Sequence, residues 1–145
     1  MIENLEKAKE ELKRVDHLIF VSLKYTRTGD VIYNVIKRIV SSYEFLISSL
    51  FKKINSGEKL SPLEEAEAIK KEFQEESIQE NISLYLMLRK VLKAKHTREG
   101  EYRRHVALIC NFEGNELKLN IDRMVEYYEL LKEFYQFVSE RVKND

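Results

Sequence analysis

The sequence predicts a mainly all-α protein: an up-down bundle of four main helices with a small β-hairpin before the last. Three observations predict it. Apolar residues recur at helical spacing along four long stretches. Turn formers are scarce, with four Gly and one Pro in 145 residues, too few for a sandwich or barrel. One segment, residues 106–121, gives up the helical period for alternation around a glycine. A chain of this length suits one domain, residues 1–145, and can bury a core. Its hydrophobic content of 43% is too high for a disordered polymer.

The first helix is expected from about Ile2 to Tyr25. Leu5, Ala8, Leu12, Val15, Ile19 and Ser22 mark its seam, and Leu18 and Leu23 broaden the later half. The first half is densely charged and is expected at the surface, whereas the second half, from His17 to Tyr25, is expected to be buried. His17 at the junction reads as a partly exposed helix residue rather than a catalytic one. Thr26 to Gly29 form a tight connection, so the first two helices should be antiparallel neighbours.

The second helix is expected over Asp30–Ile54, with Asp30 as its N-cap. Ile32, Ile36, Ile39, Tyr43, Ile47, Leu50 and Ile54 recur at steps of three and four, and Val35, Val40, Leu46 and Phe51 widen the stripe. At 1.5 Å per residue this helix is roughly 37 Å long. A stripe that wide needs cover on more than one side. Lys37, Arg38 and Glu44 interrupt it, so it does not read as a membrane span.

Ser61-Pro62-Leu63-Glu64 starts the third helix: Ser61 as N-cap, Pro62 at the first helical position and Glu64 closing a capping box. The helix should run to about Lys95. Its apolar spacing slips between Phe73 and Ile78, which predicts a bend near Glu75–Ser77. Residues 61–80 hold seven Glu against two Lys and read as a solvated face. Val106–Cys110 and Leu117–Ile121 then read as two strands, with Gly114 supplying a positive φ in the turn; a helix with a long loop is the competing reading. The last helix should run from Asp122, its cap, to about Lys143. Met124, Tyr127, Tyr128, Leu131, Phe134, Tyr135, Val138 and Val142 form its apolar face, most simply as core, and the aromatic surplus also suits a homodimer surface.

Net charge is zero, so no global field argues for nucleic acid or membrane. The N-terminal stretch is charged at once, unlike a signal peptide, and a cytoplasmic protein is the expectation. Cys110 stands alone, which excludes an internal disulfide and argues against zinc; in its apolar run it reads as a small buried hydrophobe. No paired-histidine metal motif, nucleotide loop or nucleophile elbow is present, and neither metal nor cofactor is expected.

Charge is locally uneven. From Arg89 to His105 the chain carries Arg89, Lys90, Lys93, Lys95, His96, Arg98, Arg103, Arg104 and His105 against Glu99 and Glu101. With Tyr102 available for stacking, Lys93, Lys95, His96, Arg103 and Arg104 are candidate contacts for an RNA or phosphate backbone. The bland alternative is a helix C-terminus decorated with cations. Lys24 and Arg27 form a second candidate anion-binding corner, or else cap the first helix.

The helical layout and Arg98-Glu-Gly-Glu-Tyr-Arg-Arg-His105, an Arg and a His with six residues between them just before the last helix, resemble the HEPN superfamily. That resemblance implies a small helical bundle, commonly dimeric, among proteins many of which process RNA. It implies metal-independent cleavage in which His105 activates a ribose 2′-hydroxyl or protonates the leaving oxygen and Arg98 stabilises charge on the phosphate. Such HEPN motifs usually carry a polar residue after the Arg, and here that residue is Glu99. The stretch from Leu23 to Val31 also resembles a recurring segment of small prokaryotic proteins, with no chemistry attached. The contrasting expectation is a non-catalytic helical module that homodimerises and binds a protein partner. A small-molecule pocket among the helices is a third.

Overall fold

The computed structural model describes residues 2–55 and 57–143. Among them the chain forms five helices and one small antiparallel sheet. The helices are α1 (Ile2–His17), α2 (Gly29–Ile54), α3 (Pro62–Glu72), α4 (Glu76–Lys93) and α5 (Ile121–Lys143). The strands are β1 (His96–Glu99), β2 (Ala107–Phe112) and β3 (Asn115–Asn120), in the spatial order β1-β2-β3. No described helix is long and apolar enough to cross a membrane.

The centre of the molecule is α2. Ile32, Val35, Ile36, Ile39, Tyr43, Leu46, Ile47 and Leu50 are all buried, as their spacing predicts, while Ile54 at the end is exposed. Helices α1, α3, α4 and α5 and strand β2 all pack against it. Thr28, not Asp30, is the N-cap: its hydroxyl accepts from the Val31 N–H at 3.3 Å. Asp30 lies inside the first turn, where the helix dipole favours its charge.

A π-helical turn, Leu18–Ser22, followed by a short Leu23–Tyr25 turn, extends α1. The Leu23 N–H donates to the Leu18 carbonyl, five residues back. The extra residue in that turn hands the buried register to Leu23 rather than Ser22. The seam is buried along its length, Ile19 and Leu23 included, but burial of the two halves differs from expectation. Leu5, Ala8, Leu12 and Val15 in the charged half are buried, whereas Phe20, Val21 and Tyr25 are exposed.

The predicted capping box at Ser61 and Glu64 is present, with both bonds at 3.2 Å. The predicted bend is a full break. Phe73 is extended, and the Gln79 amide bridges back to the Lys70 and Phe73 carbonyls at 2.6 Å each, giving partners to acceptors that α3 leaves open. The next helix restarts with Ile78 facing the core.

Residues 107–120 form the hairpin, with Phe112 opposite Asn115, and Ile121, expected to end the second strand, instead begins α5. Both loop residues, Glu113 and Gly114, have positive φ, the geometry of a type I′ turn. The strand β1 is additional to the expected pair: Arg98 sits opposite Leu108 and His96 opposite Cys110. Cys110 is buried, as expected of a small hydrophobe. Asn120, not Asp122, caps α5, its side-chain oxygen accepting from the Arg123 N–H at 2.9 Å. The ladder runs to Asn120 and delivers that residue to the cap position. The α5 aromatics Tyr127, Tyr128 and Phe134 face inward, so most of the aromatic surplus belongs to the core.

Within the core the Tyr43 hydroxyl donates to Asn81 Oδ1 at 2.5 Å, and both residues are fully buried. Tyr43→Phe would leave that oxygen without its partner, at a cost of about 1–3 kcal/mol. Urea unfolding should show this loss, and adding Asn81→Leu should recover part of it. A Tyr43→Phe protein as stable as the parent would show that the bond contributes nothing net.

Burial, with Glu80 and Glu133 nearby, raises the Tyr43 hydroxyl well above its ordinary value. Burial likewise raises Tyr85, and it raises Tyr128 together with a bond to Asp16. Folded values above the unfolded ones mean that this stability is complete below the ordinary tyrosine value of 10.0 and is lost as pH rises past it. Urea midpoints should therefore be insensitive to tyrosine ionisation up to about pH 9 and fall above about pH 10, with tyrosinate absorbance from these rings appearing together with unfolding.

Candidate nucleic-acid interface

Strand β1 lays two side chains against the start of α2. The Arg98 guanidinium pairs with Asp30, and its aliphatic stem lies over Gly29, where a Cβ would sit 2.6 Å from Cγ. Two residues earlier, the His96 ring stacks on Tyr33 with centroids 5.3 Å apart. A strand step of two thus matches a helix step of three, Asp30 to Tyr33.

The loop after β1 continues the docking. Glu101 accepts a 2.8 Å bond from the Gly29 N–H, and the Tyr102 N–H donates to the Arg27 carbonyl at 2.6 Å. Glu101 therefore caps α2 from a distance, alongside Thr28. An external anion finds that helix terminus already occupied by protein oxygens. Tyr102 has φ 67°, a strained conformation for a non-glycine residue, and Gly100 has φ 66°. The His105 ring lies over Gly100, with Cδ2 2.6 Å from where a Cβ would be.

This docking joins two runs that are far apart in the chain. Arg27, which follows Lys24 and Tyr25 in the chain, meets Tyr102, which Arg103 and Arg104 follow. Tyr25 and Tyr102 are 78% and 74% exposed, so their ring faces are open to a stacking partner. The local acids are engaged: Asp30 with Arg98, Glu99 with Lys118 at 3.0 Å, and Glu101 with the Gly29 N–H. Lys24, Arg27, Arg103 and Arg104 have no ion pair among the described residues. The corner is therefore cationic at its surface although the chain is neutral overall.

The remaining candidates are dispersed. His105 is exposed and, with Arg104, Lys118, Asn120, Ile121 and Asp122, lines a groove of about 410 Å³ that does not include Arg98. Lys95 and His96 line a different depression beside Ile109 and Glu116. Lys93 sits with Arg89 and Lys90 on the α3–α4 surface. Arg89 is engaged inside the bundle: it reaches the Tyr85 hydroxyl at 2.9 Å and Glu44 at 3.3 Å. His17 is exposed on α1.

Sequence reasoning found the cations and Tyr102 but missed Asp30 and Glu101 as the residues that tie the corner together. The only local sign was Gly29, which leaves room for the Arg98 stem. No protein-family model matches the chain, and no curated protein or solved structure matches it.

Gly100→Ala would combine a disfavoured positive φ with a clash against His105. It should cost about 1–2 kcal/mol in urea unfolding and speed amide exchange at Tyr102 as the loop loosens. A variant with parental stability and parental Tyr102 protection would show that Gly100 does not hold the loop.

Proposed function

We propose that the protein is a cytoplasmic, HEPN-like RNA-binding domain that works as a homodimer, an up-down bundle in which α3 and α4 form one broken leg. Its RNA contact is the corner where the end of the α1 extension meets the loop after β1. The observation that carries this reading is the Tyr102-to-Arg27 hydrogen bond, which joins two segments whose cations Lys24, Arg27, Arg103 and Arg104 have no ion pair among the described residues, each segment with an exposed tyrosine. Cations along a backbone path with aromatic platforms between them are what a single strand requires. Folded bases or duplex edges are not needed for such binding.

The catalytic form of the reading uses His105 and Arg98. His105 takes the proton of a ribose 2′-hydroxyl or returns one to the leaving oxygen, and Arg98 stabilises charge on the phosphate. For this, Arg98 must exchange Asp30 for the phosphate, and His105 must approach it from the neighbouring groove. The second reading is a non-catalytic homodimeric module that binds a protein partner. The observation in its favour is exposed Phe20 and Val21 on the π-helical turn.

Fluorescence anisotropy with labelled single-stranded RNA tests the proposal. Binding should weaken steeply with salt. Arg103→Ala/Arg104→Ala should lower the slope of log K against log salt by about 1.4, at about 0.7 for each phosphate no longer neutralised. In a cleavage assay, His105→Ala and Arg98→Ala should each abolish turnover with circular dichroism unchanged. Salt-insensitive self-association without RNA retention would favour the protein-interaction reading. Cleavage surviving in both variants would remove the catalytic assignment.

A further inference from the structure

The corner is not the only cationic surface. Two depressions open along the seam between α1 and α2. One, of about 420 Å³, is lined by Leu18, Asn34, Lys37, Arg38 and Ser41. The other, of about 300 Å³, is lined by Lys13, Arg14, His17, Leu18 and Arg38. Sharing Leu18 and Arg38, they form one groove.

The groove is built around a buried acid. Glu11 is 5% exposed, and its carboxylate accepts from Arg14 Nη1 at 2.6 Å and from Arg38 Nη1 at 3.3 Å. A carboxylate left alone there would be costly, so the two guanidiniums are held in place. Each uses only one terminal nitrogen on Glu11, and their remaining donors make no other hydrogen bond among the described residues. Asp16, the nearby acid of α1, is turned away and accepts from Tyr128 on α5 at 2.9 Å. Lys13, Arg14, His17, Lys37 and Arg38 thus line the groove, and no carboxylate is among its described lining residues.

The groove's place in the fold connects it to the corner. Asp30, Asn34, Lys37, Arg38 and Ser41 follow one another at helical spacing along α2, which carries the track about 16 Å from the docked loop at 1.5 Å per residue. Lys37 also lies over the Tyr33 ring at 6.0 Å, and that ring stacks on His96. The π-helical turn begins at Leu18, sending Ile19 into the core and leaving Leu18 at the groove. Such turns occur often at functional sites.

We infer that the α1–α2 groove binds the phosphodiester backbone of a single-stranded RNA that continues from the loop corner. This inference rests on the RNA reading above and names its substrate: an extended single strand long enough to span both surfaces. Arg14 and Arg38 take phosphate oxygens with their free donors, Lys13 and Lys37 flank them, and Asn34 and Ser41 offer hydrogen bonds to ribose or base.

The test compares a tetra-uridylate with a dodeca-uridylate by anisotropy at several salt concentrations. Wild type should hold the longer strand at least about tenfold more tightly. Lys13→Ala/Lys37→Ala should bring the longer strand down toward the affinity of the shorter, lower its salt slope by about 1.4, and leave the shorter strand unaffected. Arg14→Ala/Arg38→Ala should do the same. If that pair unfolds because Glu11 is stranded, the lysine pair decides. Equal binding of the two lengths, or a lysine pair indistinguishable from wild type on the longer strand, would overturn the groove while short-strand binding kept the corner. Failure of wild type to bind either strand would overturn the corner reading and the groove with it.

Discussion

The structure depends on the burial of α2. Of its 26 residues 13 are buried, and they recur along the whole helix from Gly29 to Phe51. Fully burying one large apolar side chain is worth roughly 1.5–3 kcal/mol relative to leaving it exposed, so no single neighbouring helix is enough. The chain answers with α1 on one side, α3 to α5 on others, and a sheet against what remains. The sheet is small, and a three-stranded unit of this size needs such a partner surface to be stable. Its position against α2 is also what brings β1 and the following loop to the helix's first turn.

Much of this was legible wherever the determinant is local. The stripe of α2, the capping box at Ser61 and Glu64, and the Gly114 turn are each set by residues within a few positions of one another, and each is found. The misses share a different cause. His96-Thr97-Arg98-Glu99 has no apolar alternation, and it is a strand because β2 offers a free edge. Thr28 and Asp30, like Asn120 and Asp122, are pairs of capping-competent residues two apart. Which of each pair caps is decided by where a strand ends and where Glu101 reaches. Period alone did not reveal the π-helical turn, since it changes the burial of residues whose spacing is compatible with either register.

The candidate interface shows the same division. Its cations were visible as a run, but the run is split by the fold among the α3–α4 surface, the flank of the sheet, the start of α2 and the loop after β1. What unites the corner is a hydrogen bond across 72 positions in the chain, between Gly29 and Glu101, which no window of sequence contains. The groove was hidden differently. Lys37 and Arg38 stand in the sequence as interruptions of an apolar stripe. Only the antiparallel placement of Lys13 and Arg14 opposite them gives the interruption a chemical meaning.

Magnitudes separate the cations that hold the fold from those able to meet a ligand. Arg89 is mostly covered and bonds both Glu44 and the Tyr85 hydroxyl, which also bond each other, so withdrawing it would break two bonds of one network inside the fold. The Arg98–Asp30 pair is of another kind. Its side chains are 46% and 70% exposed, and an ion pair so open to water contributes about 0.2–1 kcal/mol. Exchanging Asp30 for a phosphate oxygen therefore costs little, because water and the helix dipole continue to stabilise the released carboxylate. Backbone docking through Glu101 and Tyr102 does not depend on Arg98, so the loop can stay seated while the arginine changes partner. The strain at Tyr102 fits this division of labour: a conformation costing on the order of 1–3 kcal/mol persists only where its surroundings hold it, and the Arg27 carbonyl is what holds it here. The corner thus combines a rigid backbone seat with cations that are easily redirected, the combination a polyanion-binding surface needs.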